Sequence, residues 1–374
     1  MHLYENLGMV RSDHRMKVFF YITSLAMGGA EMQCARLAVA LKELYGYDVE
    51  LSVNYPKLSN ERLLGPIRDA GIPVHGHSWK TVAGIIGMYR LLKSDGSGSV
   101  LFCYNAFPDF TGAIIGRAAG LKNIYAGVRS TYLPRAHIWM ERFVQRFLLR
   151  GTIFNSHRAR TEFIENHGFD AAKSLVISNA IPDTPFKHDY SKQCDRIDVI
   201  TVGTFKPPKD YYTWLKFIAK ARVANPRIHG IIIGYGWQEN IIRGWMHELQ
   251  LDDVVELVNG KGIEDIPQRL AMADIYLSTS IIEGTSNSIM EALRAGIPVV
   301  ATDVGDNRYL IQEGKSGYIR DVGDVQGLAE IVVELSQNSS KRERFGSAAL
   351  NCMKAKHSIE YIASQYCERL NAAK

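Results

Sequence analysis

Short, nearly continuous apolar runs alternate along this chain with stretches of helical period. Runs at 17–23, 48–53, 72–74, 100–104, 124–128 and 152–156 have the length and composition of strands buried on both faces. Between them, 30–44, 83–93, 110–119 and 134–150 carry apolar residues at helical spacing, and a further helix starts at His157. The alternation restarts with strands at 198–203, 231–236, 254–258, 275–278 and 297–301, separated by helices at 211–225, 266–273 and 288–295. Two last helices are predicted at about 323–338 and 340–372. Such alternation predicts an α/β chain with parallel sheets covered by helices on both faces. With 374 residues, the chain exceeds one ordinary core, so two doubly wound domains are expected. The polar, proline-broken stretch 184–196 is the predicted linker between domains at 16–183 and 197–355.

Composition narrows this only a little. An apolar content of 46% with 22% charged residues is that of a globular protein, and no run is long enough to span a membrane. Residues 1–15 are polar, lack the apolar core of a signal peptide, and are expected to be a disordered tail. The five cysteines are scattered and form no Cys-x-x-Cys pair, which points to a reducing, cytoplasmic setting and away from structural zinc. Residues 1–190 hold 22 Lys+Arg against 16 Asp+Glu, or +6, and the rest 22 against 23, or −1. The basic half should therefore meet the more anionic partner. No nucleic-acid partner is expected.

Candidate chemistry gathers at predicted strand ends, where open α/β sheets bind ligands. The loop from Glu283 through Gly284, Thr285, Ser286 and Asn287 joins the strand at 275–278 to a helix from Ser288. Amides opening that helix favour an anion such as phosphate. Glu283 and Glu291 bracket it, although Ser288 and Glu291 also fit a capping box in which Glu291 serves only the backbone. Thr204, Lys206 and Lys209 follow the strand at 198–203, and a lysine there neutralises a diphosphate as a point charge. Gly234 belongs to a Gly-x-Gly turn after the next strand. Gly28 and Gly29 let the backbone approach a ligand. Tyr104, Asn105, Asp109, Arg129 and Ser130 end two other strands and should line the same cleft. No Gly-x-Gly-x-x-Gly is present, which weakens a dinucleotide reading.

The helix at 134–150 is ambiguous. Trp139, Met140, Phe143, Val144, Phe147 and Leu148 form one apolar face, with Arg142, Arg146 and Arg150 in a stripe beside it. Either this face docks on the domain, or the helix lies at an anionic membrane surface.

Glu283, seven residues, Glu291 and then Ala-Leu-Arg-Ala-Gly-Ile-Pro-Val-Val-Ala-Thr resembles the donor-site signature of family-4 retaining glycosyltransferases of the GT-B fold. The resemblance runs from about Met16 to the end. It implies two Rossmann-like domains facing across a cleft, with a last helix, within 356–374, crossing back to the first domain. It also implies a nucleotide-diphosphate sugar donor, with UDP the commoner base, and a glycan or lipid-linked acceptor. By resemblance Glu283 handles the donor sugar, Glu291 the ribose, and the amides from Thr285 to Ser288 the diphosphate. Lys209 supplies the positive charge, and neither metal nor cofactor is expected. The chain departs from the pattern in two places. Thr204 replaces a usual Arg, for which Lys206 is the expected substitute, and Tyr104 and Asn105 stand near a usual His. The same frame also suits a sugar-nucleotide epimerase or hydrolase, or a nucleotide-sugar-binding protein without turnover.

Overall fold

The computed structural model describes residues 16–26, 28–94, 98–129, 134–184, 186–191, 195–259 and 265–371. Strands β1 (Lys17–Ile22), β2 (Asp48–Val53), β3 (Val74–Gly76), β4 (Val100–Tyr104), β5 (Asn123–Val128), β6 (Gly151–Phe154) and β7 (Ser174–Val176) make a first sheet. Its order is β3-β2-β1-β4-β5-β6-β7, with all neighbours parallel. Strands β8 (Ile197–Val202), β9 (Ile228–Gly234), β10 (Val255–Asn259), β11 (Ile275–Ser278), β12 (Val299–Thr302) and β13 (Gly317–Arg320) make a second. Its order is β10-β9-β8-β11-β12-β13, again parallel. Both sheets are doubly wound, as the strand–helix alternation predicts. In each, the chain reverses direction across the sheet beside its first strand, β1 against β4 and β8 against β11. The loops leaving those strands are where such sheets open a ligand crevice.

Helices α1 (Gly29–Glu43), α2 (Glu61–Asp69), α3 (Val82–Lys93), α4 (Ala106–Ala118), α5 (Arg135–Phe147) and α6 (His157–His167) cover the first sheet. Helices α7 (Tyr211–Ala224), α8 (Glu239–Glu248), α9 (Ile266–Met272), α10 (Asn287–Ala295), α11 (Asn307–Leu310), α12 (Val325–Gln337) and α13 (Ser339–His357) belong with the second. The central strands carry the cores: β1 and β4 are almost wholly buried, as are β11 and β12.

The helix expected over 340–372 is two helices. Ser358 is extended (φ −63°, ψ 155°) and its hydroxyl accepts the Tyr361 N–H at 3.2 Å, so it ends α13 and caps α14 (Ile359–Asn371). That break redirects the chain onto α1, where Ile362, Ala363, Tyr366 and Leu370 join the core of the first sheet. Each large apolar side chain buried there contributes about 1.5–3 kcal/mol.

Helix α5 does not dock its aromatic stripe on the domain, the first of the two orientations its sequence allows. Trp139 and Phe147 are 65% and 61% exposed and Phe143 is 38% exposed, whereas Glu141, Val144 and Gln145 are buried. Polar partners inside the domain account for this. Gln145 donates to Ser174 Oγ (3.0 Å) and accepts from the Asp170 N–H (2.8 Å), and Glu141 meets Asp109 of α4.

Candidate active site at the domain interface

Helix α10 starts at Asn287, one residue before its expected start. Its N-cap, Ser286, caps no backbone N–H of the first turn; its hydroxyl pairs instead with Ser288 Oγ at 3.2 Å. Ser288 is therefore inside the helix, and the Ser288–Glu291 capping box is not formed. Gly296 ends the helix in the left-handed region (φ 79°). Glu283, at the head of the loop, accepts from Lys209 Nζ at 2.5 Å and from Ser280 Oγ at 2.9 Å. Lys209 stands at the end of a three-residue turn from Pro207, just before Asp210, whose carboxylate caps α7. Burial opposes the lysine's charge, but Glu283 outweighs it and raises Lys209 above its ordinary value. The two candidate catalytic side chains thus form one ion pair.

Burial pushes the Glu291 carboxyl up to about 7, with Arg36 of α1 acting in the other direction. Arg36 thus lies within electrostatic reach from the other domain. Thr204 is half-buried, and its carbonyl accepts from Tyr211 Oη at 3.4 Å. Lys206 is exposed. Gly234 serves packing, since a Cβ there would lie 1.8 Å from the Gly203 carbonyl oxygen.

From the first domain, α1 brings its own N-terminus to the same place, with the Glu31 carboxylate folded back onto its own N–H. Gly28 is its N-cap and offers no side chain, and a Cβ on Gly29 would stand 3.0 Å from Asn287 Nδ2. The N-termini of α1 and α10 therefore converge across the domain boundary, both without a side-chain cap from the N-cap residue. Thr285 Oγ1 donates to the Asn155 carbonyl (2.5 Å), and Asn287 Oδ1 accepts from Asn179 Nδ2 (2.9 Å). A cavity of 550 Å³ opens between them, bounded by Gly29, Glu31, Asn105, Arg129, Thr285 and Asn287 among others. Asn105 reaches its wall with φ 77°, a conformation costing about 1–3 kcal/mol outside glycine.

Tyr104 does not line this cavity. It is buried in the core of the first sheet, and the Arg129 guanidinium lies 4.6 Å from its ring centroid. Arg129 also donates to Tyr366 Oη at 3.0 Å, so α14 reaches the site through a residue the sequence did not single out. Ser130 lies outside the described residues.

A second contact between domains sits beside the cavity. The Asp306 carboxylate accepts from Ser156 Oγ (2.8 Å) and from the N–H groups of His157 (2.7 Å) and Arg158 (3.0 Å). It fills the N-terminus of α6 from the opposite domain. His157 stacks on Tyr309 with centroids 4.3 Å apart, and the Asp306 N–H bonds the Gly284 carbonyl at 2.9 Å. Nothing near Asp306 in the sequence marks it, because its partners lie about 150 residues away.

Two family descriptions match consecutive parts of the chain: Glycosyltransferase Family 4 over residues 27–184, and Glycosyl transferases group 1 over residues 184–351. The chain belongs to the family-4 glycosyltransferases of the GT-B fold. Among curated relatives it is 36% identical over 115 residues to the amylovoran biosynthesis glycosyltransferase AmsK of Erwinia amylovora, covering 29% of this chain and 28% of that one. It is 27% identical over 183 residues to the N-acetyl-alpha-D-glucosaminyl L-malate synthase of Bacillus anthracis, covering 49% and 47%. The match thus spans less than half the length of either relative. Among solved structures, Anabaena HepE in complex with UDP superposes with a TM-score of 0.82 at 20% identity, over 96% of this chain and all of that one. In this family-4 chain, then, the crevice of the first Rossmann-like sheet and the loop after β11 of the second line one cavity.

Proposed function

We propose that the protein is a retaining glycosyltransferase that moves a sugar from a UDP-sugar to an acceptor hydroxyl, in the synthesis of a surface polysaccharide or lipid-linked glycan. The observation that carries this reading is the N-terminus of α10 at the interdomain cavity, which Thr285 and Asn287 line, with the Lys209–Glu283 pair at the head of the loop that leads into it. The bond from the anomeric carbon to the β-phosphate oxygen breaks, and a bond to the acceptor oxygen forms on the same face of the sugar. The acceptor proton passes to the leaving diphosphate, which departs as UDP. Negative charge grows on that diphosphate as the bond breaks. The amides opening α10 and α1, and the Lys209 ammonium, are fixed in place to stabilise it. Glu283 exchanges Lys209 for donor-sugar hydroxyls, and Glu291 holds the ribose. The naming of HepE as a complex with UDP supports the choice of base.

The test is a thermal-shift screen across UDP-, GDP- and ADP-sugars, followed by NMR of the product anomer. Stabilisation by UDP-sugars and an unchanged anomeric configuration support the reading. Free sugar or an epimer formed without acceptor would favour the hydrolase or epimerase. Binding without turnover over a broad acceptor panel would favour a binding protein.

The exposed face of α5 supports a place at an anionic membrane surface, such as the inner face of the plasma membrane. Trp139, Phe143 and Phe147 form a ladder with centroids 5.8 and 5.2 Å apart, flanked by the exposed Arg135, Arg142 and Arg146. Neighbouring α3 and α4 add exposed Val82, Ile85, Ile86 and Ile114. An apolar stripe with a basic fringe suits insertion among anionic headgroups. No described helix is long and apolar enough to cross a membrane. Cosedimentation with phosphatidylglycerol vesicles should be lost in a Trp139→Ser, Phe143→Ser, Phe147→Ser variant. A wild type that stays in the supernatant would remove the membrane from the proposal.

A further inference from the structure

We propose that Asp109 and Glu141 form a hydroxyl-recognition subsite for a saccharide acceptor on the first domain's side of the cavity. The inference rests on the transferase reading above. Both residues line the cavity, yet they are only 0% and 1% exposed, with their carboxyl groups just behind its wall.

Hydrogen-bond accounting shows why they are unusual. Asp109 Oδ1 accepts from the Gly127 N–H at 3.2 Å. Asp109 Oδ2 and both Glu141 oxygens find no donor on the described protein. The two side chains can bond each other only by sharing a proton, and burial raises both carboxyl groups, Asp109 to about 7. One shared proton still leaves a Glu141 oxygen unmatched. A buried acceptor without a donor costs about 1–3 kcal/mol.

Two further acceptors point to the same ligand class. Asn155 Oδ1 and Asn179 Oδ1 are also without donors, each residue is 4% exposed, and each lines the same cavity. A wall with this excess of acceptors matches a ligand rich in O–H donors. The Arg129 guanidinium on the same wall disfavours a metal cation, and the acid pair disfavours a second phosphate. A neutral polyol ring satisfies both constraints. The pair also faces Cys103 of β4 and Arg129 at the end of β5, so the arginine is the counter-charge when the shared proton leaves.

Saturation-transfer NMR on the UDP-saturated protein tests this, with methyl glycosides of glucose, galactose, mannose and N-acetylglucosamine as probes. At least one should show cross-saturation in the wild type. Glu141→Gln and Asp109→Asn should each weaken its binding by about 5–10-fold, one lost hydrogen bond's worth, with UDP affinity unchanged. No cross-saturation in the wild type overturns the proposal, as does retention in both variants. Loss of glycoside and UDP binding together in a variant marks the pair as structural and also overturns it. If Glu141→Gln does not fold, Asp109→Asn carries the same criterion. Failure of the wild type to bind UDP would instead strike the donor reading. The glycoside titration is then run without nucleotide and judged by the same standard.

Discussion

Two helix N-termini at the domain boundary are put to opposite uses. At α6 the amides of His157 and Arg158 are filled by the Asp306 carboxylate reaching over from the other domain. At α10 the N-cap Ser286 makes no such bond, and the first turn opens on the cavity. The same partial positive charge is a latch where the chain supplies the anion and, on the function proposed above, a receptor where it does not. The two are mechanically joined. Gly305 adopts φ 52°, and a Cβ there would lie 2.2 Å from the Gly284 carbonyl oxygen, so the turn that carries Asp306 and the loop from Glu283 touch backbone to backbone. Closing the latch fixes the loop.

The comparison breaks most readily on the receptor side. Lys209→Met removes a fixed cation from the leaving group and should lower the transfer rate by roughly 10²–10³-fold, as loss of one preorganised stabilising group does. Glu283→Gln should lower transfer as well but leave UDP affinity near wild type, since it is assigned to the sugar. Steady-state kinetics with UDP-binding calorimetry separate the two. Equal loss of UDP affinity in both variants would refute the division of labour.

The latch comes next. Asp306→Ala leaves the α6 amides and Ser156 without their carboxylate and should destabilise the closed arrangement by about 2–4 kcal/mol. Expected readouts are a lower Tm and a raised donor KM, with a smaller change in kcat. Asp306→Asn, which can still accept one hydrogen bond, should fall between. An unchanged KM would mean that the contact at α6 is not coupled to the loop from Glu283.

What the sequence could tell follows the same divide. Buried parallel strands are legible because their apolar runs are local, and so is the loop into α10, because Glu283 to Glu291 is one continuous stretch. Residues that act across the boundary are not legible. Asp306 and Tyr366 look like ordinary surface or core positions until the domains are brought together. Helix α5 misleads for a related reason. Its aromatic stripe has the period of a packed face, but Glu141 and Gln145 have partners on α4 and near β7 that the period cannot encode. Ser358 gives no composition signal either; only the packing of α14 on α1 shows why the chain must break there.

A subtler probe sits where the two helix ends meet. Gly29→Ala places a methyl group 3.0 Å from Asn287 Nδ2, but at a position where helical backbone suits alanine. The isolated domain should hold or gain up to about 1 kcal/mol from reduced unfolded-state freedom. The closed cleft should lose about 1 kcal/mol or more from crowding. Thermal melts without nucleotide should therefore be unchanged or slightly higher, while donor KM rises several-fold. A fall in both would show that Gly29 serves the fold and not the approach of α1 to α10.

The effect confined to one pH window reports on which charge wins at Glu291. Burial raises its carboxyl from 4.5 to about 7, against the opposing influence of Arg36. Between those values the unfolded chain has released the proton and the native protein still holds it. The native state binds more protons there, so this group's contribution to stability is full below about 4.5 and is lost as pH rises through 7. Glu291→Gln removes that loss. The Tm of the variant relative to wild type should therefore be higher at pH 7.5 than at pH 5, a change worth about 1–3 kcal/mol. If the variant instead loses ground at pH 7.5, Arg36 has already drawn Glu291 into its ionised form. The two domains would then be held together at α10 by a charge pair, as they are at α6 by a cap.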